Sequence, residues 1–100
     1  MARFDFIATY MLANRKQGAI YTGASSDLFQ RLEQHKLGKG SLFTAKYGCT
    51  RLVWYEVHET ITGAIHREKR LKTWKRQWKI DLIKETNPHW DDLALSLPYV

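Results

Sequence analysis

The chain carries a single cysteine, Cys49, and only two prolines in its 100 residues. One thiol cannot close an internal disulfide, which excludes a disulfide-stapled secreted scaffold and favours a reducing, cytoplasmic setting. Long hydrophobic runs are missing as well. The apolar stretch from Phe6 to Ala13 is far shorter than the roughly 20 residues a membrane span needs. It runs into Asn14-Arg15-Lys16 with no small-residue cleavage site, so it reads as a strand. No Walker loop and no GxGxxG occurs, which argues against a nucleotide-driven motor or a dehydrogenase. Cys49, His58, His66 and His89 fall into no CxxC, HxxxH or HExxH spacing, so a zinc site has no support.

What is present is a core and a charge. Hydrophobic residues make up 44% and aromatic residues 13%, enough for packing and incompatible with a disordered basic tail. A chain of this length forms one domain, residues 1–100, with no room for a second core. Sixteen Lys and Arg against ten Asp and Glu give a net charge of +6. That excess favours a polyanionic partner, either nucleic acid or an anionic membrane surface.

Residues 4–12 are rich in β-branched and aromatic side chains, Asn14 to Gly18 are polar, and Ala19-Ile20-Tyr21-Thr22 resumes a strand, which predicts a hairpin. The second strand is expected to break at Gly23. Ser25-Ser26-Asp27 supplies capping side chains for a helix from Leu28 to His35 that stops near Gly38. Residues 38–48, with glycine, lysine and small polar side chains, read as a surface loop. Leu52 to Val57 reads as a third strand. Ile61, Ala64, Ile65, Leu71 and Trp74 then recur at helical spacing, and Trp78, Leu82 and Ile83 continue the pattern in a second helix or beyond a bend. Trp74 and Trp78, four residues apart, are expected in the core. Asn87-Pro88 ends the run, with one more short helix to follow. The predicted fold class is α+β: a three-stranded, mostly antiparallel sheet flanked by helices.

Three groups of residues have chemical potential. Tyr10 and Tyr21 lie on paired strands and can present two phenol oxygens to one place, although tyrosine is also an ordinary strand residue. Arg31 and His35 share one helix face at i, i+4. Arginine suits bidentate phosphate contact, and histidine suits proton transfer or phosphate hydrogen bonding. The same face could equally be solvated, with Asp27 pairing Arg31. Glu68 falls on or beside the apolar stripe of its helix, where a carboxylate needs a partner. Lys72, one turn on, is one candidate. A divalent cation is the other, since Mg²⁺ is often held by one or two carboxylates with water and phosphate completing its shell. Arg67, Lys69, Arg70, Lys72, Lys75, Arg76, Lys79 and Lys84 supply half of the sixteen cations, a density suited to phosphate-backbone binding.

Taken in order, Tyr10, the segment Gly18 to Gly23 (GAIYTG), SSDLFQRLEQHK and AIHREKRLK resemble the GIY-YIG nuclease family, above all its small single-domain bacterial members. The likeness covers about residues 5–87. Its first tripeptide is matched at Tyr10 and its second at Tyr21 and Gly23. The family's arginine falls on Arg31, its His or Tyr one turn later on His35, and its metal-binding glutamate on Glu68. Ala24 stands where the excision-repair branch has a basic residue.

The resemblance implies a divalent-metal-dependent endonuclease acting on DNA or structured nucleic acid, leaving 5′-phosphate and 3′-hydroxyl ends. The implied catalytic residues are Tyr10, Tyr21, Arg31, His35 and Glu68, with Glu68 holding Mg²⁺ or Mn²⁺. Lys36, Lys39, Lys46, Arg67, Arg70, Lys72, Lys75, Arg76 and Lys79 are the expected nucleic-acid contacts. No membrane partner is expected, while a protein partner that supplies substrate specificity fits the absence of an added nucleic-acid-binding domain. Two rivals stand beside the nuclease: a catalytically silent nucleic-acid-binding module with the same fold, and a subunit lending a nuclease site to a larger repair complex.

Overall fold

A computed structural model describes residues 6–97. The predicted strand residues Phe4 and Asp5 lie outside that range. The elements in chain order are β1 (Ala8–Ala13), β2 (Ile20–Ser25), α1 (Leu28–Lys36), α2 (Leu42–Tyr47), β3 (Arg51–Val57), α3 (Ile61–Lys72) and α4 (Arg76–Thr86), followed by a short 3-10 helix, Leu93–Ser96. The sheet is antiparallel in the order β2-β1-β3, with β1 central and every one of its residues buried. This is the expected α+β fold.

Strand alternation divides the core into two clusters. Ala8, Tyr10 and Leu12 face Leu28 and Leu32 of α1 together with Ala94 and Leu97. Met11 and Ala13 face Leu71 of α3, Ile80 and Ile83 of α4, and Trp90. A bulge between Met11 and Leu12 leaves Val53 without a partner on β1 and sends both Val53 and Trp54 to the second cluster.

Capping decides where the helices start. The Asp27 side chain accepts from the Gln30 amide at 3.2 Å, as the Ser25-Ser26-Asp27 run predicts, and Thr60 accepts from Gly63 at 3.1 Å. Asn87 ends α4. Its amide donates to the Val53 and Asp91 carbonyls at 3.1 and 2.9 Å, latching the following turn to β3.

Four expectations need correction. The segment 38–48 is not all loop: the Ser41 side chain caps α2 by accepting from the Thr44 amide at 3.0 Å, and Gly48, at φ 66°, closes it. Two caps suffice for six residues when the helix can bury Thr44. The second strand does not break at Gly23 but pairs it with Tyr10 and runs on to Ser25. The buried face of α3 is narrower than the apolar spacing suggests: Ala64 and Leu71 are buried, whereas Ile61 and Ile65 lie at its rim. Trp78 is 50% exposed, edge-on to a partly buried Trp74, because Trp54 and Trp90 already fill that part of the core.

Candidate active site at the edge of the sheet

The site is built outward from Tyr10, whose ring is buried between β2 and α1. Opposite it stands Gly23. A Cβ at position 23 would lie 2.6 Å from the Tyr10 hydroxyl and 2.9 Å from the Tyr21 ring. Glycine is therefore needed there for closeness of approach, since the Tyr10 hydroxyl occupies the space of the missing side chain. Tyr21 lies on the same face two residues earlier, its ring centroid 6.2 Å from that of Tyr10, and it is only partly buried. Burial pushes the Tyr10 phenol well above its ordinary value, Tyr21 and Glu68 add to the rise, and Arg31 opposes it. Tyr10 thus stays protonated, and Tyr21 is the phenol that meets solvent.

His35 projects from α1 into the same cluster and is 2% exposed. Its Nε2 lies 2.9 Å from the Tyr10 hydroxyl and its Nδ1 lies 3.0 Å from that of Thr44. Burial, reinforced by the Arg31 guanidinium, lowers its pKa to about 4, so the imidazole is neutral at physiological pH. With both nitrogens taken, His35 cannot hydrogen-bond a phosphate directly. That half of its expected role falls away, and the proton-handling half keeps its geometry. Arg31 is partly buried, and its charge acts on both Tyr10 and His35.

Glu68 approaches from the other side. Because α3 packs on the Met11 face, Glu68 and Lys72 come round the edge strand β2 from the face opposite Tyr21. The Glu68 carboxylate meets the Lys72 ammonium at 2.8 Å, with Glu68 largely covered and Lys72 half exposed. Its charge nevertheless reaches the Tyr10 phenol. A groove of about 240 Å³ straddles the edge, lined by Ile20, Tyr21, Thr22, Phe43, Lys72 and Lys79. Burial, with help from Lys72 and Arg76, lowers the Lys79 pKa, so this groove concentrates positive charge. Among the described residues no group of three or more His, Cys, Asp or Glu could hold a metal. A single largely covered carboxylate still suits a hard cation that keeps most of its water, such as Mg²⁺ or Mn²⁺.

The remaining basic residues scatter. Lys72 and Lys79 line the groove, while Lys36, Lys39 and Lys46 are exposed on α1, α2 and the turn between them. Arg70 and Lys75 are exposed on the helical side, Lys75 over the Trp78 ring at 5.6 Å. Two others are engaged within the fold. Arg76 donates to the Gln17 and Gly18 carbonyls at 2.7 Å each, pinning the hairpin turn to α4. Arg67 pairs with Glu56 at 3.2 Å and lies over the Trp54 and Trp74 rings.

Sequence reasoning missed Phe43 and Thr44, both on the segment read as loop. Phe43 adds an aromatic ring 6.2 Å from Tyr21, continued by Tyr47 at 4.8 Å. The signal that could have found them was the pair of caps, Ser41 and Gly48, at helical spacing.

The GIY-YIG catalytic domain matches residues 6–81 of this chain. Two UPF0213 proteins of Staphylococcus aureus, one from strain Mu3 and one, SAV0488, from strain Mu50, are each 41% identical to it over 68 residues, which is 68% of this chain and 83% of theirs. No solved structure matches it. No helix among the described residues is long and apolar enough to cross a membrane. With two tyrosines on paired strands, an arginine on the first helix and a glutamate on the third whose charges both act on the Tyr10 phenol, and with a domain match spanning most of its length, the chain belongs to the GIY-YIG family of nucleases.

Proposed function

We propose that this protein is a divalent-metal-dependent endonuclease that hydrolyses phosphodiester bonds in DNA or structured nucleic acid. One observation carries the reading: the Tyr10 ring, the Tyr21 ring and His35 lie together, with His35 2.9 Å from the Tyr10 hydroxyl, and the charges of Arg31 and Glu68 act on that same phenol. Convergence of this kind is what a common reacting atom requires. Glu68 would hold Mg²⁺ or Mn²⁺, exchanging its Lys72 contact for the cation. When bound, the cation supplies Lewis-acid stabilisation of the phosphoryl group and the departing 3′-oxygen. Arg31 neutralises charge on the nonbridging oxygens. Tyr21, the solvent-facing phenol, orients the attacking water and, once ionised, takes its proton, while Tyr10 and His35 hold Tyr21 from behind. Lys72 and Lys79 draw the phosphate backbone along the groove without reading its sequence.

The Glu68–Lys72 ion pair is the observation that favours a second reading, a catalytically silent nucleic-acid-binding module. Glu68→Gln separates the two. Plasmid, flap, branched and single-stranded substrates are incubated with the purified chain in Mg²⁺ or Mn²⁺ beside this variant. The nuclease reading expects cleavage to fall by about a hundredfold or more while folding and nucleic-acid binding persist. A folded variant that cuts at the wild-type rate with the same Mg²⁺ dependence removes Glu68 from the chemistry.

A further inference from the structure

Thr22 stands on the far face of the edge strand from Tyr21. It pairs with Met11 and shares the face on which Met11 meets α3 and α4. The residue is 4% exposed, and its hydroxyl has no hydrogen-bond partner among the described residues. A hydroxyl in that state has given up its bonds to water with nothing in return, which costs stability. Thr22 nevertheless lines the groove at the β2 edge, together with Lys72 and Lys79.

The two lysines are not equivalent. Lys72 is held at 2.8 Å by Glu68, and it cancels a carboxylate that would otherwise repel an anion here. Lys79 is partly buried, pairs with no carboxylate among the described residues, and lies within reach of the like charges of Lys72 and Arg76. Arg76 is already committed to the Gln17 and Gly18 carbonyls. An unpartnered hydroxyl and an unpaired ammonium thus border one opening of about 240 Å³, which has room for a phosphate group.

We propose that Thr22 and Lys79 form a binding site for one backbone phosphate of a nucleic acid, across the edge strand from the phosphate that reaches Tyr21. A nonbridging oxygen accepts from the Thr22 hydroxyl, whose proton the fold leaves uncommitted, and the Lys79 ammonium supplies the countercharge. The anion also relieves the repulsion among Lys72, Arg76 and Lys79. Because the groove straddles β2, a strand with one phosphate beside Tyr21 carries a neighbouring phosphate over the edge to Thr22. β2 has a partner strand on one side only, so the sheet leaves that path open. Contacts of this kind fix the register of a strand without reading its bases. The inference rests on a nucleic-acid partner, which the nuclease and the silent binding module share, and not on cleavage.

The test is binding of the full chain to a fluorescent DNA duplex in EDTA, measured against salt. Lys79→Gln should weaken binding and reduce the slope of log affinity against log salt by about 0.9, the value of one phosphate contact. Thr22→Val should weaken binding by about threefold to tenfold with the slope unchanged, because a neutral hydroxyl releases no counterion. Its thermal midpoint should not fall, since the change removes a hydroxyl that the fold does not satisfy. Thr22→Ser should bind as the wild type does. In the double variant the second change should add little to the loss from the first, because both groups hold one phosphate. Additive losses overturn the proposal, as do an unchanged slope in Lys79→Gln and a Thr22→Val variant that binds as tightly as the wild type. A midpoint that falls in Thr22→Val reveals an internal partner for the hydroxyl and overturns it too. A wild-type chain that binds no DNA overturns it together with the nucleic-acid partner, whereas a chain that binds in the expected pattern and cuts nothing counts against the nuclease reading alone.

Discussion

Neighbouring residues of β1 each engage a histidine, on opposite faces of the sheet. Tyr10 meets His35 at 2.9 Å, and Thr9 meets His58 at 3.2 Å. In the second pair the Thr9 hydroxyl donates to the Ala64 carbonyl at 2.8 Å, so it accepts from His58 Nε2. A threonine hydroxyl therefore lies against each ring, that of Thr44 at 3.0 Å from His35 Nδ1 and that of Thr9, its proton committed to Ala64, at His58 Nε2. The surroundings differ as much. His35 is sealed between hydroxyls and faces the charge of Arg31, whereas His58 lies 3.0 Å from the Glu56 carboxylate, which also pairs with Arg67, and keeps some contact with water. One ring is neutral and enclosed by two hydroxyls, and the other lies in a partly exposed cluster with Glu56 and Arg67. Neighbours make the difference, since the residue type is the same.

The comparison can be broken most directly by truncation. His35→Ala opens a cavity and strips the Tyr10 and Thr44 hydroxyls of a partner, so urea unfolding should report a loss of roughly 4 kcal/mol. Acidification should distinguish the two rings next. The folded pKa of His35 is depressed from 6.5 to about 4, so its contribution is intact above pH 6.5 and is lost as pH falls toward 4. The loss amounts to about 3 kcal/mol. Thermal melts across that window should flatten in His35→Gln.

Gly23→Ala sharpens the same contrast from the strand side. The added methyl meets the Tyr10 hydroxyl at 2.6 Å, and displacing it should cost about 2 kcal/mol and disturb the Tyr10–His35 contact. Unfolding curves together with the His35 ring spectrum would register both effects. The smallest change is expected at His58→Ala. A contact between a partly exposed histidine and a partly exposed carboxylate contributes about 1 kcal/mol or less, and a double-mutant cycle with Glu56→Gln measures it. A loss at His58 equal to that at His35 would erase the distinction between the two rings.

The strands and long helices were legible because their signals are local. β-branched and aromatic runs, the Asp27 cap and the Asn87-Pro88 stop all act within a few residues of where they stand, and the elements begin and end close to them. The candidate residues Tyr10, Tyr21, Arg31, His35 and Glu68 stand out in the sequence as a pattern of types at intervals. Trp78 was misjudged for a physical reason: periodicity says which residues share a helix face, but not whether Trp54 and Trp90 have already filled the space that face looks into. The loop reading of residues 38–48 failed because composition weighs glycine and lysine, whereas α2 depends on two caps and one buried threonine.

Sequence alone determined the three strands, the longer helices, the excess of positive charge and the residue types at the candidate site, since each follows from propensity, spacing or a count. Only the tertiary structure decided that Tyr10 is sealed in while Tyr21 faces the groove, that Glu68 reaches the site round the β2 edge already paired with Lys72, and that His35 is neutral and held by Thr44. Those are properties of burial and of contacts between residues far apart in the chain. Hydrogen-bond direction and pKa depend on which groups surround an atom in space, and that arrangement exists only once β1, β2, α1, α2 and α3 have packed together.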